Sequence, residues 1–423
     1  MNFVPYAIPI FLLMIVMELG WGLFKGNNTY RVNDSINSLS MGLLSTVTKF
    51  VFLNIGALVF TKISQEYAIW AFDINAIGHW LLAILLYDFL YYWFHRISHE
   101  RQFFWGSHVV HHQSEDYNLS TALRQTSTSF LTTWVFYIPC FFLGMPISMF
   151  VSIASAHLIY QFWVHSQHIP KLGVFEWFMV SPSNHRVHHA QNADYIDKNY
   201  GGLLIIWDRL FGTYKAEDEK QQAIYGIRVP LQSWNPIWAN LHIFAGMLRD
   251  IWHTNRWSDK FRVLWSKTGW HPEDMVKRFP EQKSDLEQFE KYNPQHSSRI
   301  NGAIIVQYLL LAVLHFWSAG QSTVLSSSLM WAVVIAQVGI LIVIGAVLEG
   351  KAYARPFEYT RLLVLSSMLW ISYSAELISS DWFGWGLGYL VASGILMRFC
   401  VNGDLETQGS TAQNHNHNHN QIG

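Results

Sequence analysis

Only two cysteines occur in 423 residues, Cys140 and Cys400, and each sits inside an apolar run. Neither a disulfide framework nor a thiolate metal site can be built from them, so any metal must be held by nitrogen or oxygen. Charge is scarce as well. Asp, Glu, Lys and Arg make up 13% of the chain, against roughly 25% in soluble domains, and the net charge is −1. No Lys/Arg-rich tract marks a nucleic-acid surface, so no nucleic-acid partner is expected. What is abundant is apolar: 51% hydrophobic and 16% aromatic residues, with a positive mean hydropathy. That composition belongs in a bilayer.

Apolar runs long enough to span are read at 4–24, 42–60, 76–94, 300–318, 328–349, 359–376 and 383–400. A further stretch from Phe130 to Trp163, broken by Gly144 and Pro146, is too long for one span and short for two, and reads as a hairpin that does not cross fully. The first run has no basic leader and no small-residue cleavage site, which marks a retained anchor. If the chain starts outside, alternates sides and the hairpin returns to its own face, every Lys and Arg except Lys62 falls on one side, cytoplasmic by the positive-inside rule. The expected fold is an all-α polytopic integral membrane protein with a cytoplasmic helical cap that carries a histidine-rich di-metal site. Its expected parts are 1–164 (spans, hairpin and first histidine clusters), 165–299 (cap with the later clusters), 300–402 (C-terminal spans) and 403–423, a disordered His/Asn-rich tail with His415, His417 and His419.

Histidines gather where the apolar runs stop. "HRISHE" at 95–100 places His95 and His99 four apart, on one face of a continuing helix. "HVVHH" at 108–112 and "NHRVHH" at 184–189 repeat the logic with His108, His111 and His112, and with His185, His188 and His189, at i, i+3 and i+4. A single such histidine is usually a hydrogen-bonded structural residue; three clusters on one side of the membrane are a metal site. Zinc sites normally close on four ligands, whereas this many imidazoles suffice for two ions with open positions. The Glu-x-x-His pairs of soluble carboxylate di-iron bundles are absent. An all-imidazole site at a membrane surface suits iron.

The order His-x3-His, His-x2-His-His, a histidine after an apolar hairpin, then His-x2-His-His resembles the membrane fatty acid hydroxylase and sterol desaturase superfamily. "LIYQFWVHSQHIP", "SPSNHRVHHAQN" and "YIDKNYGGLLIIWDRLFGTY" are similar to its pterin-dependent, ether-lipid-cleaving branch. The resemblance implies that His95, His99, His108, His111, His112, His165, His185, His188 and His189 are metal ligands and that Glu100, beside His99, has a catalytic part in proton handling or in the second coordination shell. It implies two Fe ions, O2 and tetrahydrobiopterin as electron donor. No sequence feature identifies a pterin pocket, so the pterin-binding residues are unassigned. A ferredoxin, cytochrome b5 or another reductase remains open as the electron source.

Several residues stand near the ligands without belonging to the pattern. His157, Gln161, His165 and His168 share one helical stripe; His157 reads as a hydrogen-bonded hairpin residue and Gln161 as a support for His165. Asp88, Asp194, Asp197 and Asp208 are candidates to orient imidazoles by accepting a ring N–H, as carboxylates commonly do. Asn192, Asn199 and Tyr200 are expected to shape the cap. Trp70, Trp80, Trp93, Trp105, Trp134, Trp163 and Trp177 read as interfacial belts. Glu18 and Glu349, in or beside apolar runs, read as helix-packing groups.

The expected activity is that of an O2-dependent lipid monooxygenase. Inserting oxygen at the carbon next to an ether oxygen gives a hemiacetal, which separates into a fatty aldehyde and a glycerol derivative. The partners are a lipid drawn from the bilayer and a reductase or pterin-recycling system, in a bacterial inner membrane or the endoplasmic reticulum. Competing readings are a sterol or fatty acid hydroxylase or desaturase with another donor, a non-redox zinc membrane protein, and a transporter. Against the last, the histidines lie outside the apolar runs and no paired broken spans mark a midplane site.

Overall fold

The computed structural model describes residues 1–51, 55–321 and 327–401. The tail with His415, His417 and His419, from 403 onward, lies outside the described residues, as does the side chain of Cys400. Among the described residues the chain is all helical, without strands; two isolated bridges join Met179 to Leu204 and Ala190 to Tyr225. It divides into two compact units.

The first unit comprises Met1–Gln232 and Trp238–Lys291. It opens with α1 (Val4–Lys25), whose apolar side chains Leu13, Val16, Met17 and Phe24 stay exposed, as suits a lipid-facing helix. Helices α2 (Val32–Val51) and α3 (Ile55–Glu66) follow. No single described helix covers the run at 42–60: α2 ends at Val51 and α3 begins at Ile55. Helix α2 buries Asn33, Asp34, Asn37, Ser38, Ser40 and Ser45 together with Met41, Leu44 and Val47, and in its first half Asp34 accepts from Ser114 Oγ and Asn37 Oδ1 from Arg124. Residues 52–54, inside the run at 42–60, lie outside the described residues.

Helix α4 (Ile77–Glu100) is the long apolar helix that carries the first histidine pair at its end. Short helices α5 (Gln102–Gly106), α6 (Val109–His112) and α7 (Leu119–Ala122) lead to the hairpin. As the sequence suggests, the hairpin is two shorter helices, α8 (Thr133–Phe142) and α9 (Ile147–Trp163). Its turn requires glycine: Gly144 has φ 83°, and a Cβ there would stand 1.9 Å from the Trp70 carbonyl oxygen. Phe141, Met145, Met149 and Ile153 of the hairpin pack with Ala83 and Tyr87 of α4 into one apolar core, which holds α4 in place behind the histidines.

After the hairpin come α10 (Pro182–His189), α11 (Ile206–Leu210), α12 (Pro236–His253), α13 (Trp257–Trp265) and α14 (Glu273–Arg278). Ser181 starts α10 with a capping box, accepting from Asn184 N at 3.2 Å while Asn184 Oδ1 accepts from Ser181 N at 3.1 Å, and Pro182 occupies the first turn. The sequence "SPSN" thus fixes where the helix of the last histidine cluster begins.

The second unit comprises Ser233–Ile237 and Tyr292–Gly423. Its helices are α15 (Ser298–Gly320), α16 (Ser327–Leu348), α17 (Ala354–Ser374) and α18 (Ser380–Val401). Glu349 caps the segment at 233–235, accepting from Ser233 Oγ at 2.5 Å, Trp234 N at 2.6 Å and Asn235 N at 3.0 Å. Inside the unit Arg361 pairs with Glu358 at 2.6 Å and donates to Ser393 Oγ at 2.9 Å.

By length and composition four helical segments among the described residues can cross a membrane: Val4–Lys25, Ile77–Glu100, Ser298–Gly320 and Leu329–Leu348. The runs at 359–376 and 383–400 do form long helices, yet neither is among these four. For α17 the interruption is visible in Arg355, Glu358 and Arg361.

Candidate metal centre

The eight histidines singled out by their spacing, and His165, which the family resemblance added, come together in two groups. His95, His99, His108, His112 and His188 form the first; His111, His165, His185 and His189 form the second. Within each group the ligand nitrogens lie within 4.8 Å of one another. Three elements deliver them: the end of α4, the short α6 with the residue before it, and α10; His165 follows α9. The i, i+4 pairs do what helical spacing predicts, as His108 and His112 place their Nε2 atoms 3.2 Å apart and His185 and His189 do the same. The rings of His112 and His189 stack with centroids 4.3 Å apart, so the two groups are neighbours.

Hydrogen bonding fixes which nitrogen each of four rings offers. His95 Nδ1 is 2.7 Å from the main-chain oxygen of Tyr200, His111 Nδ1 3.0 Å from that of Arg124, His165 Nδ1 2.8 Å from that of Gln161, and His188 Nδ1 3.0 Å from that of Lys198. A carbonyl can only accept, so each Nδ1 carries the proton and each Nε2 keeps a lone pair. Two such lone pairs face each other at 3.2 Å between His111 and His165. His99 Nε2 and His188 Nε2 are buried without any hydrogen-bond partner. Lone pairs turned inward, with no donor to meet them, are the surroundings of a cation. Two imidazole nitrogens each about 2.1 Å from one ion at a right angle would be about 3.0 Å apart, close to the 3.1 Å of His95 to His108 and of His165 to His185. The donor set therefore fits metal ions.

Burial keeps these imidazoles neutral. It holds His108, His112, His165, His185, His188 and His189 far below the ordinary histidine range, with neighbouring imidazoles adding to the effect. His111 is lowered to about 4, again first by burial and against the opposing hydrogen bond to Arg124. Neutral imidazole is the ligating form.

The orienting groups differ from the carboxylates that the sequence suggested. Among the described residues no Asp or Glu accepts a ring N–H from the nine; main-chain oxygens do so instead. Asp88 accepts from His157 Nε2 at 2.7 Å, from the amides of Leu203 and Leu204 at 2.9 and 3.1 Å, and from Trp207 Nε1 at 2.9 Å, tying the cap to α4. Asp208 accepts from the amides of Tyr200 and Gly201 and from Thr213 Oγ1, each at 2.7 Å; burial nevertheless lifts its carboxyl to about 6. Asp194 and Asp197 are exposed. Glu100 follows His99 but lies in neither group; its Oε1 accepts from Arg96 Nε at 2.9 Å.

Backbone conformation explains how carbonyls come to serve. Asp197 and Asn199 adopt φ of 58° and 56°, the left-handed region that Asp and Asn tolerate best. Asn199 locks this bend, donating to the oxygens of Asn184 and Lys215 and accepting from Lys215 N at 2.8 Å. The flanking carbonyls of Lys198 and Tyr200 reach His188 and His95. Asn192 serves farther out, binding Ile224 N and the Gln222 oxygen.

Arg124 was not legible as a site residue. It is 1% exposed and donates to Val110 O at 2.7 Å, Asn37 Oδ1 at 2.7 Å and Gln113 Oε1 at 3.1 Å, while its own carbonyl orients His111. The one signal available was a lone arginine within the otherwise uncharged "NLSTALRQTSTSF". His157 is a hydrogen-bonded hairpin residue, as expected: it bonds to Asp88 and Gln161. Gln161 supports His165 through its main-chain oxygen, and its side chain accepts from Tyr91 OH at 2.6 Å. His168 stays outside both groups. Glu18 is a packing group, accepting from Tyr30 OH, from Leu119 N at 2.8 Å and from Ser166 Oγ at 2.5 Å, next to His165. Trp105 rests on the rings of His99 and His112, a contact that its reading as an interfacial residue did not foresee.

A cavity of about 490 Å3 reaches the centre. His108, His111 and His165 stand on its wall, so both groups face it, and Phe60, Trp134, Tyr137, Phe141 and Phe150 line much of the remainder.

The family model for fatty acid hydroxylases matches residues 80–213, which hold all nine histidines. Alkylglycerol monooxygenase of Homo sapiens is 39% identical over 273 residues, 64% of this chain and 60% of its own length. That of Xenopus tropicalis is 35% identical over 317 residues, 74% of this chain and 70% of its own length. Ornithine lipid hydroxylase OlsE of Rhizobium tropici is 27% identical over 135 residues, 32% of this chain and 41% of its own length. The match thus spans less than two thirds of the human protein. No solved structure matches the chain. With four helices among the described residues apolar enough to cross a bilayer, the protein is an integral membrane protein. The histidine pattern, the family match and the identity to the frog protein over most of its length together place the chain in the fatty acid hydroxylase superfamily, within the alkylglycerol monooxygenase family.

Proposed function

We propose that the two histidine groups hold two iron ions and that the chain is an O2-dependent lipid monooxygenase acting on O-alkylglycerol ether lipids. The observation that carries the reading is the cavity with aromatic walls on which His108, His111 and His165 all stand. An alkyl chain fits such walls, and its first carbon is then presented to both ligand groups. The substrate class follows the relatives named alkylglycerol monooxygenase.

Bound iron supplies activation of O2 with two electrons, which side chains alone cannot. One oxygen atom enters the C–H bond beside the ether oxygen and the other leaves as water, with two electrons and two protons taken up. The resulting hemiacetal breaks its C–O bond to give a fatty aldehyde and a glycerol derivative. A tetrahydropterin is the proposed electron donor, regenerated by a recycling system.

The chain's own residues bind, orient and exclude water. The carbonyls of Tyr200, Arg124, Gln161 and Lys198 hold four imidazoles with Nε2 forward. The aromatic wall keeps the alkyl chain dry. Glu100 acts from outside the ligand groups, as a carboxylate held by Arg96 that handles protons at the edge of the centre. The distribution of Lys and Arg supports a cytoplasmic active site, with the segment 165–299 as its cap.

The test is to purify the chain anaerobically in mild detergent, load it with iron and supply O2, reduced tetrahydropterin and an alkylglycerol. Fatty aldehyde that requires iron and pterin supports the reading. Iron binding without aldehyde, with a sterol or fatty acid oxidised instead, refutes the substrate assignment.

A further inference from the structure

One wall of the cavity is polar. Residues 125–129, "QTSTS", follow Arg124, whose carbonyl orients His111, so this segment starts beside the ligand groups. It is held firmly. Ser127 N donates to Asn240 Oδ1 at 2.7 Å, the hydroxyls of Thr126 and Thr128 meet at 2.9 Å, and Ser107 Oγ donates to the Thr128 carbonyl at 3.2 Å. Gln125, Thr126, Ser127 and Ser129 all stand on the cavity wall. Ser127 is 9% exposed, and its hydroxyl has no hydrogen-bond partner. A buried hydroxyl without a partner is uncommon, and one on the wall of a cavity is a place for a ligand's polar atom.

We infer that residues 125–129 form the head-group subsite of the cavity and that the Ser127 hydroxyl takes a hydroxyl of an uncharged, hydroxylated head. This rests on the ether-lipid reading and deepens it. The segment bears no charge, and Lys49, the basic residue on the cavity wall, belongs to α2 and not to this segment. The aromatic side chains from α3, α8 and α9 lie on the rest of the wall, where an alkyl chain belongs. A glycerol ether bound with its hydroxyls at Ser127 and its chain among those rings shares the cavity with His108, His111 and His165, to which its ether linkage is then offered. Ser127 is then a specificity-determining residue. It distinguishes an ether with a hydroxylated head from an ether of equal chain length without one.

The test uses the iron-loaded full chain in detergent, without O2 or pterin, and reads equilibrium binding of radiolabelled 1-O-hexadecylglycerol, of hexadecyl methyl ether, and of the alkylglycerol carrying a phosphate head. Ser127→Ala is expected to weaken alkylglycerol binding by about fivefold, the value of one ordinary hydrogen bond. Methyl ether binding and the thermal midpoint are expected to stay at the wild-type level, and Ser127→Thr to retain alkylglycerol binding. Equal losses for the alkylglycerol and the methyl ether, or no loss for either, would overturn the subsite while leaving the ether-lipid reading in place. Tighter binding of the phosphate form that survives Ser127→Ala would overturn the uncharged-head assignment. Failure of the wild type to bind either ether would overturn both the reading and the subsite.

Discussion

His111 and His165 present their Nε2 atoms to each other at 3.2 Å while the carbonyls of Arg124 and Gln161 hold the protons on their Nδ1 atoms. Neither ring can donate to the other, so a cation between them relieves the repulsion. His111→Ala is expected to remove metal from its group and lower turnover by more than about 100-fold, since even partners behind a ligand are commonly worth 10- to 100-fold. His188→Ala does the same to the other group. Metal analysis beside far-UV circular dichroism checks this: metal and turnover fall together while helicity is kept.

Arg124 gives a different outcome. Arg124→Met removes the buried cation that donates to Val110 O, Asn37 Oδ1 and Gln113 Oε1. Losing three buried hydrogen bonds from one charged group is costly, so a loss of about 3 kcal/mol or more is expected. Thermal unfolding in detergent reads it, and the variant loses metal because the carbonyl behind His111 shifts.

The hairpin turn offers a test of backbone conformation. Gly144→Ala places a methyl group against the Trp70 carbonyl at φ 83°. A destabilisation of about 2 kcal/mol or more is expected. Gly173→Ala serves as the comparison, because it has a similar φ of 61° but nothing within 4 Å of the added atom. A thermal midpoint that falls no further in Gly144→Ala than in Gly173→Ala would contradict the steric account.

Outside both metal groups, His271 sits between Asp250 at 2.5 Å and Glu281 at 3.0 Å. The hydrogen bond to Asp250, then that to Glu281, raises its pKa to about 9. A histidine raised on folding stabilises the protein fully below its unfolded value of about 6.5. That stability is lost as pH rises through about 9. The gap in thermal midpoint between wild type and His271→Gln should therefore be wide at pH 6 and nearly closed at pH 10.

The legible part of this protein was the part written in helical spacing. His95 with His99, and the i, i+3, i+4 triplets, could be grouped from the sequence alone, because side chains at those intervals share a face whatever the tertiary context. Gly144 and Pro146 likewise announced the broken hairpin. The second layer was hidden because it is made of main-chain oxygens, which every residue owns. Lys198 and Tyr200 serve His188 and His95 through a left-handed bend at Asp197 and Asn199, and no side-chain pattern encodes that. The first half of α2 carries a similarly hidden layer: Asp34 and Asn37 are buried against Ser114 and Arg124, partners 80 and 87 residues away along the chain.

Asp88 tests whether the cap is held through α4. Its carboxylate gathers four donors, three of them from residues 203–207. Asp88→Ala is expected to lower metal content while wild-type His157 remains in place, and hydrogen exchange should rise in residues 200–207. Unchanged exchange there would show that the cap is held by other contacts.

The most direct measurement of the central claim is the metal stoichiometry of the anaerobically purified chain, paired with aldehyde formation from an alkylglycerol under O2 and reduced tetrahydropterin. The account predicts about two irons per chain, since the neutral imidazoles form two separate ligand groups, and aldehyde in proportion to iron. Zinc that iron cannot replace, with no aldehyde at any loading, would contradict it.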